Sequence, residues 1–397
     1  MKVAIVTRYF PPRTDAIGDY ANHLAYALAQ SGIETILVTS AGGVTSPENA
    51  FISVKPVIRN WGWGGIGAII ATIRNLAADA VNLQYVPHLY GRYGMNLAMA
   101  ALPLFLRVGI KKPVITTCHE LLSHKPSGLK GWLLQIIYLL QVWLILLGSS
   151  KVIVPAVWQE KQIQCYFRRL SRKVCRIPVG TNIPVVTVEK APGPSRPIKD
   201  REHPLTLGTF GTGHPWWQYE MAMEILKGLQ NRGIQIRLLC IGNIEGSNPK
   251  YYRRLRQLET VLGLAGSIEW TGRCSPEEVS QHLQSIDIFL ALQETGITAR
   301  NSSLVAALAH GLPIIATRGP DADEWLLNSS ALCVVDSKNP SEAIEVAARL
   351  AVHPPERKEL HQRALDFYHY YFSWERIRDQ FLETIASVQP IRSTASC

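Results

Sequence analysis

Apolar and polar positions alternate along the chain in a pattern that predicts repeated strand and helix units. The first unit has an apolar run with strand character at residues 3–7, a helix predicted over residues 19–30 and a second strand at residues 34–39. Asp19 is the predicted N-cap of this helix. A strand, a helix and a strand in this order are typical of parallel sheets, so we predict a Rossmann-like domain at the start of the chain.

The most informative unit is the stretch at residues 289–317. An apolar run precedes a polar loop with Glu294 and Arg300, and a helix follows for which Ser302 is the predicted N-cap. A helix that begins where a strand of a parallel sheet ends directs unpaired amide hydrogens and the positive end of its dipole to the carboxyl edge of that sheet. We interpret this loop as an anion-binding site. The alternative is an ordinary connection that binds nothing, because every α/β unit has such a helix.

The length of 397 residues predicts two domains, because it exceeds what one ordinary core holds. We expect one Rossmann-like domain in the N-terminal half and a second in the C-terminal half. A linker rich in proline and charge separates them, and a terminal helix packs back on the first domain before a short tail. The predicted boundaries are residues 1–184, 185–203, 204–373, 374–387 and 388–397.

The charge balance favours an anionic partner. The formal net charge is +10 and the pI is near 9.3, which suits a nucleotide diphosphate, an anionic lipid or a nucleic acid. The basic residues are scattered and lack the interleaved aromatic pattern of RNA-binding modules, so we do not expect a nucleic-acid partner.

The seven cysteines are scattered without metal-ligand spacing, so we expect reduced thiols, no metal site and no cofactor. The chain opens on a predicted strand, without the long apolar region of a signal peptide. We therefore expect a cytoplasmic location.

The most apolar segment lies at residues 132–147. It carries no charge but contains Gln135 and Gln141, and it is shorter than the roughly 20 residues of a transmembrane helix. We predict a helix packed within the first domain, with membrane insertion as the alternative. Lys125 and Lys130 precede Trp132, so contact with a membrane surface also stays open.

Seven segments, taken in their order along the chain, resemble the retaining glycosyltransferases of GT-B fold and family 4. They are VAIVTRYFPP with GDYANHLAYALAQSG, VITTCHE, IPVGTNIP, WTGRCSPEEVSQHLQSIDIFLAL, LVAALAHGLPIIATRG and FSWERIRDQFLETI. The resemblance covers residues 1–387. It implies an α/β fold of two Rossmann-like doubly wound domains with an interdomain cleft.

The resemblance also implies an activity, the transfer of a sugar from a nucleotide-diphosphate sugar with retention. The acceptor would be a polysaccharide, a glycolipid or a lipid-linked glycan, reached from the cytoplasmic face of the membrane. Two alternatives keep the fold. One is a catalytically silent module that scaffolds a partner enzyme, and the other is a nucleotide-sugar epimerase, for which the chain shows no well-placed acid pair.

On the acceptor side, the resemblance places Gly18 in the first loop, where the family backbone approaches the diphosphate and the acceptor. His119 matches the family's histidine near the transferred sugar, and the neighbouring Glu120 is an acceptor-side candidate. The alternative for His119 is a structural histidine bonded to a backbone carbonyl.

On the donor side, the backbone amides of Ser302, Ser303 and Leu304 would face the diphosphate, whose charge grows as the glycosidic bond breaks. Arg300 is a catalytic candidate that would add a positive charge. The other donor-binding candidates are Gly211, Gly213, His214, Glu294 and Asn301.

The chain departs from the family at two places. The family has two glutamates eight positions apart around the helix predicted to begin at Ser302. This chain has Thr298 and Ala306 at those positions, and only Glu294 is left as a displaced substitute. The family also has an arginine and a lysine after the first strand of the second domain, where His214 is the only candidate cation here.

Overall fold

The computed structural model describes residues 1–13, 15–45, 47–121, 128–186 and 204–389, apart from the side chain of Arg92. The chain forms two compact units. One is Met1–Pro178 together with the chain from Trp374 onward, and the other is Val179–Ser373. The boundary precedes the predicted residue 184 because Val179 and Ile183 are buried in the core of the second unit. Most of the predicted linker lies outside the described residues.

The first unit is built on a seven-stranded parallel sheet. Its strands are β1 Lys2–Val6, β2 Glu34–Ser40, β3 Ile52–Ile58, β4 Ala80–Tyr85, β5 Val114–Cys118, β6 Lys151–Val154 and β7 Val174–Arg176. The order in the sheet is β3-β2-β1-β4-β5-β6-β7, so the direction of strand addition reverses between β1 and β4. This is the Rossmann order, in which ligands bind beside the reversal at the carboxyl ends of the strands.

Helices cover both faces of this sheet. They are α1 Ala16–Gln30, α2 Ile66–Leu76, α3 Pro87–Tyr90, α4 Leu97–Ile110, α5 Gly128–Gly148 and α6 Val157–Tyr166. Because side chains alternate along a strand, Val3 and Ile5 share a core with α1, while Ala4 and Val6 share the opposite core with α2, α4 and α5.

The second unit repeats this plan with a six-stranded parallel sheet. Its strands are β8 Leu205–Phe210, β9 Ile236–Ile241, β10 Ile268–Trp270, β11 Ile288–Ala291, β12 Ile314–Arg318 and β13 Leu332–Asp336. The order is β10-β9-β8-β11-β12-β13, with the reversal between β8 and β11. Its helices are α7 Tyr219–Asn231, α8 Ile244–Ser247, α9 Pro249–Val261, α10 Pro276–Gln284, α11 Ser302–Ala309, α12 Glu324–Leu327, α13 Pro340–Val352 and α14 Pro354–Tyr371.

The last helix, α15 Trp374–Ala386, belongs to the first unit. Its buried residues Ile377, Phe381 and Ile385 share the core that α1 covers. A fully buried apolar side chain contributes about 1.5–3 kcal/mol, so these three anchor the end of the chain on the first unit.

Two predicted helix caps are wrong. Asp15, and not Asp19, is the N-cap of α1, because its carboxylate accepts hydrogen bonds from the amides of Ile17 and Gly18. Asn301, and not Ser302, is the N-cap of α11, so Ser302 is its first helical residue. Both errors arise because several cap-forming residues stand close together, and the backbone angles decide among them.

Candidate functional site

The amino end of α11 lies beside β11 at the carboxyl edge of the second sheet. The side chain of Asn301 does not cap this helix. Its Oδ1 instead accepts hydrogen bonds from the backbone nitrogen of Thr298 at 2.6 Å and from the Thr298 hydroxyl at 2.9 Å. Asn301 therefore stabilises the preceding loop and leaves the start of the helix uncapped.

The first backbone amides of α11 remain open as a result. In the described part of the chain, the amides of Ser302, Ser303 and Leu304 donate to no protein acceptor. The first helical hydrogen bond is made by Val305, whose amide donates to the carbonyl of Asn301 at 3.1 Å. Ser302 is exposed, while Ser303 is buried. Open amides at the positive end of a helix can donate hydrogen bonds to an anion.

Arg300 directly precedes this helix start. It is half-buried, and its backbone amide donates to the Thr298 hydroxyl at 3.4 Å. Glu294 lies at the other end of the same loop, exposed, with its amide bonded to the carbonyl of Trp216 at 3.0 Å. The structure therefore keeps both predicted side chains on one loop and ties that loop to the loop that follows β8.

The side chain of Glu294 lines a separate cavity of about 290 Å³, with Gln218, Glu220, Glu224 and Lys338 among the other lining residues. Arg300 and the first residues of α11 are not part of that lining. Glu294 therefore lines a cavity to which the open amides of α11 do not contribute, although the sequence grouped them.

The glycine-rich loop after β8 is closely packed. A side chain at Gly211 would lie 2.9 Å from the indole of Trp217, and one at Gly213 would lie 2.9 Å from Ile244. Gly242, which follows β9, is also constrained, because a Cβ there would come within 2.3 Å of the carbonyl oxygen of Gly211. Sequence reasoning missed Gly242, although a glycine directly after a buried strand was the available signal. These glycines let the loops of neighbouring strands approach at the carboxyl edge.

His214 is exposed and stacks on Trp216, with 3.6 Å between ring centroids. Partial burial lowers the pKa of His214 below its usual value, so the ring is mostly neutral near pH 7. His214 therefore does not substitute for a permanently charged arginine at neutral pH.

On the first unit, His119 follows β5 and is buried. Its Nε2 lies 2.6 Å from the side-chain oxygen of Gln84. The Gln84 amide in turn donates to Asn82, and the Asn82 amide donates to the Thr117 hydroxyl at 2.9 Å. Because Gln84 uses its oxygen toward His119, the Nε2 of that ring carries a hydrogen.

This chain of amides, and not a backbone carbonyl, holds the Nε2 atom of His119. The His119 ring also packs nearly perpendicular to the ring of Tyr20, with 4.7 Å between ring centroids. Glu120 follows directly and is half-buried. Sequence reasoning missed Gln84 and Asn82, although two polar residues in a strand that is otherwise apolar were a usable signal. Together these contacts fix the orientation and the tautomer of His119.

Gly18 lies within the first turn of α1, so its predicted place in the first loop is wrong. Its amide already donates to the Asp15 carboxylate at 2.9 Å. A Cβ at Gly18 would lie 2.7 Å from the carbonyl oxygen of Tyr9, which explains the need for glycine. An anion at the start of α1 would meet a carboxylate there, and not an open amide.

Comparisons with known proteins agree with this architecture. The model of glycosyltransferase family 4 matches residues 17–183, and the model of glycosyl transferases group 1 matches residues 204–352. Together the two models span most of the chain. The chain belongs to the GT-B glycosyltransferases related to family 4.

Solved structures share the fold of this glycosyltransferase over its whole length. HepE of Anabaena, in complex with UDP and glucose, is 15% identical with a TM-score of 0.67 and covers 98% of this chain and 100% of its own. A glycosyltransferase from Rickettsia africae is 15% identical with a TM-score of 0.70 and covers 99% of each chain. WaaG, a glycosyltransferase involved in lipopolysaccharide biosynthesis, is 16% identical with a TM-score of 0.63 and covers 96% of this chain and 99% of its own.

A search of curated proteins found no significant sequence match. The solved structures therefore establish the fold, and the assignment to the glycosyltransferases comes from the two family models.

The two positions at which this glycosyltransferase lacks the family glutamates are buried and do not face solvent. Thr298 is buried and bonded to Asn301, and Ala306 has no exposed surface and belongs to an apolar core. Neither position presents a polar side chain to a ligand. Among the described residues, no group of three or more His, Cys, Asp or Glu side chains could hold a metal ion.

Proposed function

We propose that this glycosyltransferase transfers a hexose or a related sugar from a UDP-sugar, with the diphosphate bound at the amino end of α11. The observation that carries the proposal is the set of open amides at Ser302, Ser303 and Leu304, which the side chain of Asn301 leaves uncapped. HepE, which has the same fold, binds UDP and UDP-glucose. The amides supply fixed donors for the charge that develops on the departing diphosphate.

We further propose that transfer retains the anomeric configuration and that the acceptor is a glycan, a glycolipid or a lipid-linked sugar. His119, oriented through Gln84, and Glu120 are the acceptor-side candidates on the first unit. The involvement of WaaG in lipopolysaccharide biosynthesis supports an acceptor of this class. We propose that the enzyme works in the cytoplasm without a metal cofactor. Anomeric proton couplings of the product, measured by NMR, distinguish retention from inversion.

The diphosphate site is tested by removing one backbone amide. Proline is tolerated in the first turn of a helix but has no N–H, so Ser302→Pro deletes one donor from an otherwise unchanged site. Ser302→Ala is the matched control, because it removes only the hydroxyl. We expect UDP affinity in calorimetry to fall about tenfold or more for Ser302→Pro and to change little for Ser302→Ala.

Uridine, which lacks phosphate, should not distinguish the two variants. Equal UDP affinities in Ser302→Pro and Ser302→Ala, with both variants folded, would exclude this diphosphate site. If the wild-type protein binds no nucleotide diphosphate at all, the donor proposal itself is wrong.

The absence of both family glutamates at the buried positions Thr298 and Ala306 favours a second function, that of a scaffold. A module without either carboxylate could have lost turnover and could act as a scaffold for a partner enzyme. Donor hydrolysis, measured beside a His119→Ala variant, separates the two functions. Turnover above that of the variant supports the enzyme, whereas equal background rates together with UDP binding support the scaffold.

A further inference from the structure

Helix α5 presents a continuous apolar stripe to solvent. The exposed residues recur every three or four positions, which places them on one side of the helix, and Leu129 and Trp132 are 89% and 60% exposed. The stripe consists of Leu129, Trp132, Leu133, Ile136, Leu140, Trp143 and Leu147. The prediction that this segment packs within the first domain therefore holds for only one side of the helix.

The opposite side of α5 is fixed in the first unit. Gln141 is buried, its side-chain oxygen accepts hydrogen bonds from the amide of Asn96 and the hydroxyl of Tyr85, and its nitrogen donates to the carbonyl of Gly94. By length and composition α5 could cross a membrane, yet 33% of its most apolar window is buried in the unit. Insertion across a bilayer would break these hydrogen bonds, so the helix is built to lie along a surface.

Neighbouring elements extend the apolar stripe. Helix α4 packs against α5 and exposes Phe105 and Val108. The ring of Trp63 lies perpendicular to that of Phe105, with 6.3 Å between centroids. We call the α5 stripe together with Trp63, Phe105 and Val108 the apolar face. Contiguous exposed apolar residues of this kind mark a surface that contacts a protein partner or a membrane.

The charged side chains on the three helices next to the apolar face are all cationic. Helices α2, α4 and α5 contain no aspartate or glutamate, while Arg74, Arg107 and Lys130 are exposed on them. Lys111 and Lys112 follow α4 and are also exposed. Aromatic and aliphatic side chains edged by cations are the composition that binds an anionic lipid surface.

We infer that the apolar face docks on the surface of an anionic phospholipid bilayer, with α5 parallel to the membrane plane. Charge decides the occupant. A second copy of the chain would bring two cationic surfaces together, whereas anionic headgroups complement Arg74, Arg107 and Lys130 and the acyl region accepts Trp132 and Ile136. This docking does not depend on the proposed donor, so it can be tested without any nucleotide.

Binding is measured by flotation of the full chain with vesicles of phosphatidylcholine, with and without about 30% phosphatidylglycerol. We expect the protein to float with the anionic vesicles, to bind neutral vesicles at least about tenfold more weakly, and to lose binding as salt is raised. The double variant Trp132→Ser and Ile136→Ser should bind anionic vesicles at least about tenfold more weakly than wild type.

The matched control removes exposed apolar side chains from the second unit. Val261 and Tyr370 are 81% and 65% exposed on α9 and α14, so Val261→Ser with Tyr370→Ser should bind vesicles like wild type. Charge reversal tests the electrostatic contribution to binding. Lys111→Glu with Lys112→Glu should weaken binding to anionic vesicles, whereas Lys250→Glu with Arg253→Glu on the second unit should not.

Three outcomes would overturn the inference. The first is vesicle binding that is the same in the Trp132 and Ile136 double variant as in the control pair. The second is retention in the membrane after alkaline extraction, which would show that α5 is inserted across the bilayer. The third is a wild-type dimer in light scattering that the double variant abolishes without wild-type vesicle binding, which would assign the apolar face to a second copy.

Discussion

The side-chain oxygen of Asn301 lies 2.6 Å from the backbone nitrogen of Thr298 and turns away from the helix that Asn301 precedes. An asparagine in this position can cap the helix that follows it. Here its side chain bonds to the loop at Thr298, and the first amides of α11 are therefore left open.

This relationship predicts the effect of Asn301→Asp. The carboxylate still accepts the two hydrogen bonds from Thr298, so the unfolding temperature should change little. Its negative charge lies beside the proposed diphosphate site, so UDP affinity in calorimetry should fall about tenfold. Uridine binding should not change. An unchanged UDP affinity would show that the diphosphate binds elsewhere.

The contact between Gln84 and His119 predicts a role in positioning the histidine. Gln84→Leu leaves the Nε2–H of a buried imidazole without a partner, which should cost about 1–3 kcal/mol of stability and lower turnover. Gln84→Glu restores an acceptor and stabilises the protonated ring, so the acid side of the rate profile should move to higher pH. A purely structural Gln84 would lower the unfolding temperature without moving that profile.

The buried position of Ala306 predicts that the family glutamate cannot simply be restored. Ala306→Glu places a carboxylate in an apolar core, and we expect a loss of about 3 kcal/mol or more and a lower unfolding temperature. Ala306→Ser is the control, because its hydroxyl can bond within the helix. A stable Ala306→Glu variant with tighter UDP binding would contradict the packing argument.

The environment of His310 predicts a loss of stability in acid. Its Nδ1 donates to the carbonyl of Ala306 at 2.7 Å, and its Nε2 accepts from the Ser280 hydroxyl at 2.8 Å. Burial lowers the pKa of His310 below the usual value of 6.5. The unfolded chain therefore takes up a proton first as the pH falls below about 6.5, and stability that is complete above that pH is lost.

Thermal unfolding between about pH 7.5 and 5.5 checks this expectation. Burial also lowers the pKa of His23, so the first unit should lose stability in the same pH range. The comparison is therefore between wild type and His310→Gln, which should lose less stability over the same range. Identical pH dependence in the two proteins would remove His310 as a cause.

The sequence predicted the strand and helix order because buried parallel strands are short apolar runs separated by amphipathic helices. It also predicted unpaired amides at the start of α11, since they follow from backbone geometry, but it placed the N-cap at Ser302 when the structure places it at Asn301. It could not place Gln84 beside His119, because that contact depends on the register between β4 and β5. Nor could it show which side of α5 is exposed, because apolar residues occur around the whole helix and packing alone selects the buried side.

The attachment of α5 is strongest at its carboxyl end. Lys173 donates to the carbonyl oxygens of Leu146, Leu147 and Ser149, and a side chain at Gly148 would lie 2.2 Å from the backbone nitrogen of Leu104. The helix is thus clamped at one end, while Leu129 at the other is almost fully exposed. Because Gln141 and Gly148 hold the carboxyl-terminal half of α5 in the first unit, a force applied at the bilayer would displace mainly the amino end of the helix, the end that follows β5 and His119 in the chain.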